Sequence, residues 1–213
     1  MKNQMEGELV SKIQKLKHNP VSQLVKERMQ EFAEKQKSRK KIFSELCFCI
    51  LTANYTAEGG IRIQKALGTK FHKLSEKQLA SKLRLLGHRF PNMRAKFIYM
   101  ARDHIGILSD KLKVCSSMEI REWLAENVHG LGYKESSHFL RNIGITDLAI
   151  IDFHIINILV KTGIIGKPKT KTLPKKRYLE IESLLRGVAN KTKLTLAELD
   201  LYLWYMETGK VLK

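Results

Sequence analysis

Apolar residues recur every three or four positions along most of the chain, and no stretch alternates apolar and polar residues as a strand would. This period predicts α-helices throughout. Helices are predicted over 5–18, 21–36, 40–53, 58–68, 93–107, 134–143 and 176–190, and a further helix is predicted directly after Asp152. Three helices are predicted to start with the spacing of a capping box: Ser75 with Gln78, Ser116 with Glu119, and Thr195 with Glu198. The expected fold class is all-α with short connections.

The charge of the chain is strongly one-sided. Its 213 residues include 39 Lys+Arg and 21 Asp+Glu, which gives a formal net charge of +18. An excess of this size attracts polyanions, and nucleic acid is the commonest of them. A lysine-rich solvated surface is the plainer alternative. The densest basic stretch, residues 161–177, is predicted as a loop that either follows phosphates or only connects two helices.

The composition excludes several classes of protein. Hydrophobic residues make up 43% and charged residues 28%, which is typical of a folded chain. No apolar run reaches the ~18 residues of a membrane helix, and the first residues contain no apolar leader, so we expect an intracellular protein with no membrane partner. Cys47, Cys49 and Cys115 are odd in number and lack metal-site spacing, so reduced thiols are expected rather than a disulfide scaffold.

Residues 128–134, Val-His-Gly-Leu-Gly-Tyr-Lys, lie between two predicted helices. The alternation Gly130-Leu131-Gly132 predicts a tight hairpin whose backbone can approach a partner closely. The helix that follows presents unpaired N–H groups at its N-terminus, and such groups bind phosphate oxygens. We therefore expect phosphate binding at the hairpin; an ordinary corner between two helices is the alternative.

Two ionisable residues stand next to predicted helix starts. Lys134 lies at the beginning of the second helix, where the helix dipole disfavours a cation. Such an unfavourable position indicates a function, although a solvated lysine is the plainer interpretation. Asp152, 18 positions later, precedes an apolar helix and is expected to be its N-cap. A capping carboxylate is held in one orientation, so capping and catalysis are compatible.

The string VHGLGYKESSHFLRNIG followed by IIDFHI resembles the signature of the helix-hairpin-helix DNA glycosylase superfamily. Within it, the chain is most similar to the archaeal-type (type 2) 8-oxoguanine DNA glycosylase/AP lyases, from about residue 40 to the C-terminus. ILTANY at 50–55, RFPNMRAKFI at 89–98 and a tail with Trp204 and a terminal Lys213 add to the resemblance. It implies two interlocked helical domains with an active-site cleft between them. One domain would comprise 1–38 plus 150–213, and the other 39–149 with the helix-hairpin-helix at about 117–143.

The resemblance also implies a bifunctional reaction on double-stranded DNA containing 8-oxoguanine, with no cofactor. The damaged nucleotide turns out of the duplex, and Lys134 attacks its deoxyribose C1′ to form a Schiff base. β-Elimination then cuts the strand. Asp152 stabilises the cationic sugar and assists proton transfer.

Four further residues are substrate-binding candidates by resemblance. Trp204 is expected to stack on the flipped purine, although its spacing alone also fits a core position. Lys213 combines an ammonium and a free carboxylate that would distinguish 8-oxoguanine; a frayed tail is the alternative. Phe90 suits insertion into distorted DNA or packing in the core. Asn54 matches the position of an amide placed near the orphaned cytosine, or is simply a helix C-cap.

No side-chain metal site is expected. The resemblance implies only that main-chain carbonyls around Glu126, Val128 and Leu131 hold a cation that bridges to phosphate.

Two other functions stay open from the sequence. A non-catalytic helix-hairpin-helix module would bind duplex phosphates without needing both Lys134 and Asp152. A glycosylase for oxidised pyrimidines would keep the chemistry and change the lesion; the missing four-cysteine cluster and the Trp204 to Lys213 tail argue against it. In each case we expect a monomer in the cytoplasm of a prokaryote, with the DNA.

Overall fold

The computed structural model describes residues 2–36, 38–168, 170 and 172–213, with side chains from Gln4 onward. Over these residues the chain forms twelve α-helices and two short 3-10 helices, and no strand, which confirms the all-α prediction. The α-helices are α1 (Lys2–Lys17), α2 (Val21–Lys35), α3 (Arg39–Thr52), α4 (Ala57–Leu67), α5 (Glu76–Leu85), α6 (Pro91–Ala101), α7 (Ile105–Val114), α8 (Ser117–Asn127), α9 (Tyr133–Asn142), α10 (Phe153–Lys161), α11 (Lys175–Thr192) and α12 (Leu196–Thr208). The 3-10 helices are Gly68–His72 and Arg102–His104.

The predicted helix starts are confirmed where the capping signal is local. The side chains of Ser75, Ser116 and Thr195 each accept a hydrogen bond from the backbone N–H three residues later, and the side-chain oxygen at that later position accepts the backbone N–H of the cap residue. These reciprocal bonds satisfy donors that a helix N-terminus otherwise leaves open. Helix α12 ends at a left-handed Gly209, which is the usual conformation for a terminating glycine.

The helix predicted over 93–107 is wrong as a single element. Helix α6 stops at Ala101, a 3-10 turn follows, and α7 continues to Val114. The Arg102 guanidinium donates to the carbonyls of Phe71 and Leu74, each at 2.6 Å, and these bonds hold the chain at the turn. The pattern of apolar residues contains no trace of these long-range bonds, so the prediction joined two helices into one.

The chain divides into two compact units, which we describe separately. Unit 1 is Met1–Phe32 with Gly144–Lys213, and unit 2 is Ala33–Ile143. The domain boundaries expected near residues 38 and 149 stay a prediction about folding domains.

In unit 1, α11 packs on α1 and α12, and α10 packs on α12. The segment 148–151, which leads into α10, is buried. Tyr178 of α11 donates its hydroxyl to the Ala149 carbonyl at 2.7 Å and accepts the N–H of Ile151 at 3.3 Å. Glu182, one turn further along α11, accepts the N–H of Ala149 at 2.9 Å. Helix α11 therefore fixes the backbone that leads directly to Asp152.

In unit 2, α3 is the central helix, because its residues from Glu45 to Thr52 are all buried. Around it lie α4, α6, α7 and α9. The buried Glu45 carboxylate is paired with Lys35 at 2.8 Å and accepts the side-chain amide of Asn142 at 3.2 Å. A buried carboxylate requires such partners. The bond from Asn142 attaches the C-terminal end of α9 to the central helix, and the ion pair with Lys35 attaches the end of α2.

Cys47 and Cys49 are buried in α3, and Cys115 is partly buried. All three are free thiols, as predicted. Burial raises the pKa of the Cys47 thiol well above its ordinary value, so this side chain packs as a small neutral group. Within the part of the chain that the structure describes, no helix combines the length and apolarity needed to cross a membrane.

Candidate active site

The hairpin of residues 128–132 in unit 2 joins α8 to α9. Gly130 has a φ of 88°, and a Cβ built on it would lie 2.7 Å from Cδ2 of Phe97. Neither the conformation nor the space suits any other residue. The N–H of Leu131 donates to the Val128 carbonyl at 3.1 Å, which closes the turn. The predicted tight hairpin is thus present, with one glycine that the backbone requires.

Lys134 is the second residue of α9, directly behind the hairpin. Its side chain is 27% exposed, and its Nζ lies 3.5 Å from Oε1 of Glu135. The other oxygen of Glu135 accepts the N–H of Gly132 at 3.3 Å. One carboxylate thus caps the start of α9 and orients the lysine. An attacking amine must be neutral, so Nζ of Lys134 has to be without its extra proton when it reacts.

Asp152 in unit 1 is the N-cap of α10, as predicted. Its Oδ1 accepts the N–H of Ile155 at 3.0 Å, and its side chain is partly exposed. The cap uses one carboxylate oxygen and fixes the direction of the other. The residue therefore meets the two conditions for electrostatic stabilisation of a cation, a fixed orientation and an accessible negative charge.

An aromatic group follows Asp152 in unit 1. Phe153 is 67% exposed, and its ring lies against that of His154 with the centroids 3.7 Å apart and the planes tilted by 37°. His154 in turn contacts Trp204 of α12 edge to face, at 4.5 Å between centroids. Nδ1 of His154 and Nε1 of Trp204 are buried and lack a hydrogen-bond partner among the described residues. Buried polar atoms without partners cost free energy, so this group is suited to receive one from a ligand.

Lys213, at the end of the chain, is partly buried. Two residues earlier, Val211 packs against an apolar cluster of unit 1. The cluster consists of Val21, Val25, Phe32, Leu201 and Tyr202. A tail anchored in this way differs from the frayed terminus that stood as the alternative. The recognition role of Lys213 stays a prediction.

Asn54 and Phe90 both lie in unit 2. Asn54 is exposed and lies just beyond the end of α3 with a φ of 59°. It therefore occupies the helix-terminating position that was the alternative to a contact near the orphaned cytosine. Phe90 is partly buried and precedes Pro91, the first residue of α6. The Arg89 guanidinium lies 5.0 Å from the centre of the Phe90 ring. Phe90 is therefore neither in the core nor fully exposed.

Several basic residues of the stretch 161–177 belong to helices. Helix α10 ends at Lys161, and α11 begins at Lys175. Lys169 and Lys171, which were part of the predicted loop, lie outside the described residues.

No cluster of three or more metal-binding side chains occurs among the residues that are described. The Val128 carbonyl already accepts one hydrogen bond and retains a second lone pair, so a main-chain cation site there fits and stays a prediction.

Comparison with known proteins decides the family. A family model for 8-oxoguanine DNA glycosylase matches residues 25–194. The chain is 51% identical over 210 residues to the 8-oxoguanine DNA glycosylase/AP lyase of Korarchaeum cryptofilum, covering 97% of this chain and 98% of that protein. The chain belongs to the 8-oxoguanine DNA glycosylase family.

Solved structures of the family have the same fold. The crystal structure of the Methanocaldococcus jannaschii 8-oxoguanine DNA glycosylase matches with a TM-score of 0.93 at 47% identity, covering 100% of both chains. A structure of the glycosylase/lyase from that organism, in complex with a 15mer DNA containing 8-oxoguanine, matches with a TM-score of 0.92 at 48% identity, covering 96% of this chain and 99% of that one. The resemblance inferred from the sequence is confirmed.

Other residues that shape the candidate site were not recognised from the sequence. Glu135 and Arg94 lack an obvious motif: one caps α9, and the other is a buried arginine whose Nη1 would lie 3.2 Å from a Cβ at Gly130. Phe153 had a detectable signal. It shares one face of α10 with the exposed Asn157 and Lys161, at a spacing of four residues, so helical periodicity places it on the polar side.

Proposed function

We propose that this protein is a bifunctional DNA repair enzyme that excises 8-oxoguanine from duplex DNA and then cuts the strand at the abasic site. The observation that supports this most directly is Lys134 in the first turn of α9, behind a hairpin whose Gly130 is required by its backbone. Its relatives over nearly the full chain are 8-oxoguanine DNA glycosylase/AP lyases.

The chemistry follows from an amine and a carboxylate. The neutral Nζ of Lys134 forms a bond to C1′ of the damaged nucleotide while the glycosidic bond breaks, and the base leaves with the bonding electrons and takes up a proton. Positive charge develops on the sugar, and the fixed carboxylate of Asp152 stabilises it. The sugar ring then opens to a Schiff base with Lys134. Loss of a C2′ proton expels the 3′ phosphate and cuts the strand.

Selection of the base is assigned to unit 1. The indole of Trp204 offers a face on which the extruded purine stacks, a contact worth about 1–3 kcal/mol. Lys213 would then distinguish 8-oxoguanine from guanine through its charged groups, because N7 of the oxidised base is a donor instead of an acceptor. The anchored Val211 supports this role, since a recognition residue needs a defined position.

The remaining DNA contacts are electrostatic. A net charge of +18 favours association with any duplex, and the N–H groups at Gly130, Leu131 and Gly132 are the candidates for a phosphate. We expect a monomer that works in the cytoplasm, where prokaryotic DNA is found.

The decisive test is borohydride trapping on a duplex with one 8-oxoguanine opposite cytosine. The wild type is expected to give a covalent protein–DNA species, and Lys134→Gln none. Lys113→Gln is a matched control, because Lys113 also pairs with a carboxylate, that of Asp110 at 2.8 Å, and its removal changes the net charge equally. This variant is expected to be trapped like the wild type.

Other outcomes would select the alternatives. Tight, salt-sensitive DNA binding without trapping on 8-oxoguanine or on an abasic site would indicate a non-catalytic binding module. Trapping on duplexes with oxidised pyrimidines but not with 8-oxoguanine would keep the Schiff-base chemistry and change the lesion. Trapping that persists in Lys134→Gln would assign the nucleophile to a different residue.

A further inference from the structure

Two turns of unit 2, Leu51–Tyr55 and Leu86–Arg94, are joined by hydrogen bonds between side chains and backbone; we term them the paired turns. Each contains one residue predicted to enter the duplex: Asn54 in the first and Phe90 in the second. The bonds cross between residues that are 32, 37 and 41 positions apart in sequence, so they join the two turns through the tertiary fold.

His88 is the central connection between the paired turns. It is buried, and its Nδ1 accepts the N–H of Phe90 at 3.0 Å. Nδ1 therefore has no proton, and Nε2 donates its own to the Leu51 carbonyl at 2.9 Å. A single neutral tautomer thus holds the backbone of Phe90 against the end of α3.

Two more side chains complete the connection. The Tyr55 hydroxyl donates to the Gly87 carbonyl at 3.0 Å, and its ring lies 4.4 Å from that of His88. In the opposite direction, the buried Arg94 donates from Nη2 to the Ala53 carbonyl at 2.5 Å. That carbonyl belongs to the residue immediately before Asn54. The Phe90 N–H, the Ala53 carbonyl and the Tyr55 hydroxyl thus lie on, or next to, a residue predicted to contact DNA. The bond from His88 to Leu51 joins the two turns to each other.

A side chain that enters a base stack must resist being pushed back. Separating stacked bases costs a few kcal/mol, and a mobile loop would have to lose conformational entropy as well. The buried, hydrogen-bonded supports beneath Asn54 and Phe90 remove that second cost before DNA binds. A loop that only connected α5 to α6 would not need a buried histidine in one tautomer.

We propose that the paired turns act as one rigid element that fills the duplex when the damaged nucleotide leaves it, with His88 and Arg94 as positioning residues for Phe90 and Asn54. This inference rests on the proposed function. In this role His88 and Arg94 do not contact the extruded base; they act through the residues that they hold.

The test compares two substrates. On duplex DNA with 8-oxoguanine opposite cytosine the paired turns have a gap to fill, whereas on a single strand with an abasic site they have none. His88→Phe keeps a ring against Tyr55 but forms neither hydrogen bond, and is expected to slow excision from duplex about tenfold. The loss on duplex is expected to exceed the loss in trapping on the single strand at least about fivefold. His88→Gln, which can both accept and donate, is expected to recover most of the rate.

A double-variant comparison identifies the residue through which His88 acts. If His88 works by holding Phe90, then His88→Phe combined with Phe90→Ala will be no slower on duplex than Phe90→Ala alone. Multiplicative losses would overturn the inference, as would equal losses on both substrates. Tyr55→Phe, which removes one exposed hydroxyl, keeps the test possible if His88→Phe does not fold; a loss of about twofold confined to duplex is expected. Failure of the wild type to be trapped on the abasic strand would instead count against the proposed function.

Discussion

Replacing Gly130 by alanine tests whether the hairpin has the conformation described. A left-handed backbone costs a non-glycine residue about 1–2 kcal/mol. The new methyl group would also lie 2.7 Å from Phe97 Cδ2; forcing an extra group into packed surroundings typically costs about 1–3 kcal/mol. Together these give a loss of about 2–5 kcal/mol, a large fraction of the ~5–15 kcal/mol that keeps a typical domain folded.

Gly132 is the matched control for this substitution. Its φ is −108°, and a Cβ there would meet only Oε2 of Glu135, at an ordinary contact distance of 3.4 Å. Gly132→Ala is therefore expected to change the free energy of unfolding by less than about 1 kcal/mol. Both variants remove one glycine from the same hairpin, so a difference between them isolates the backbone conformation of Gly130.

Urea denaturation monitored by tryptophan fluorescence provides the measurement. The chain has two tryptophans, and Trp123 lies on α8 of unit 2, directly before the hairpin. In a Trp204→Phe background, Trp123 is the single indole fluorophore and reports on this unit. Equal midpoints for Gly130→Ala and Gly132→Ala would refute the required left-handed glycine.

Three further predictions concern Asp152, Lys213 and His88. Asp152→Asn keeps a capping oxygen for Ile155, so it is expected to fold like the wild type but to lose base excision. Asp152→Ala is expected to lose base excision and also about 1 kcal/mol of stability. Denaturation measures the stability, and a trapping assay measures the reaction. Deleting Lys213 is expected to slow 8-oxoguanine excision at least about tenfold and leave cleavage of ready-made abasic sites nearly intact. Burial lowers the pKa of His88 below its ordinary value of about 6.5. The unfolded chain therefore binds a proton at this histidine more readily than the folded chain does, and the free energy of unfolding should fall as the pH drops below about 6.5.

Each of these expectations has a contradicting result. Full activity of Asp152→Asn would remove the carboxylate from the mechanism. Equal losses on damaged and abasic substrates after deletion of Lys213 would remove it from base recognition. For His88 the comparison is with His88→Gln, which cannot titrate: its denaturation midpoint should fall less between pH 7 and about 5 than that of the wild type. Parallel curves would show that another group, such as His72, whose pKa burial also lowers, causes the pH dependence.

The sequence was informative where the physical cause of a structure is local. Ser116 and its partner Glu119 are three residues apart, so the start of α8 could be predicted without knowing what packs against it. The N-cap role of Asp152 was predictable for the same reason. The break after α6 was not, because it depends on Arg102 and carbonyls about 30 residues away.

The candidate site follows the same division. Lys134 and Gly130 were identified from a short motif whose residues are neighbours in sequence. His88 was invisible as a support for Phe90, because its second bond goes to Leu51, 37 residues earlier. A sequence pattern can identify the residues proposed to meet the substrate, whereas those that hold them depend on the tertiary fold.

Helix α11 has a consequence for how mutations in this protein should be interpreted. Tyr178 and Glu182 have no proposed contact with DNA, yet they hold the backbone that ends at Asp152. A survey that scored only DNA affinity would classify both as unimportant. A survey that scored turnover would group them with Asp152, the proposed catalytic carboxylate, since even a displacement of an ångström can lower a rate about a hundredfold. The functional boundary of the enzyme therefore extends one helix beyond the residues that touch its substrate.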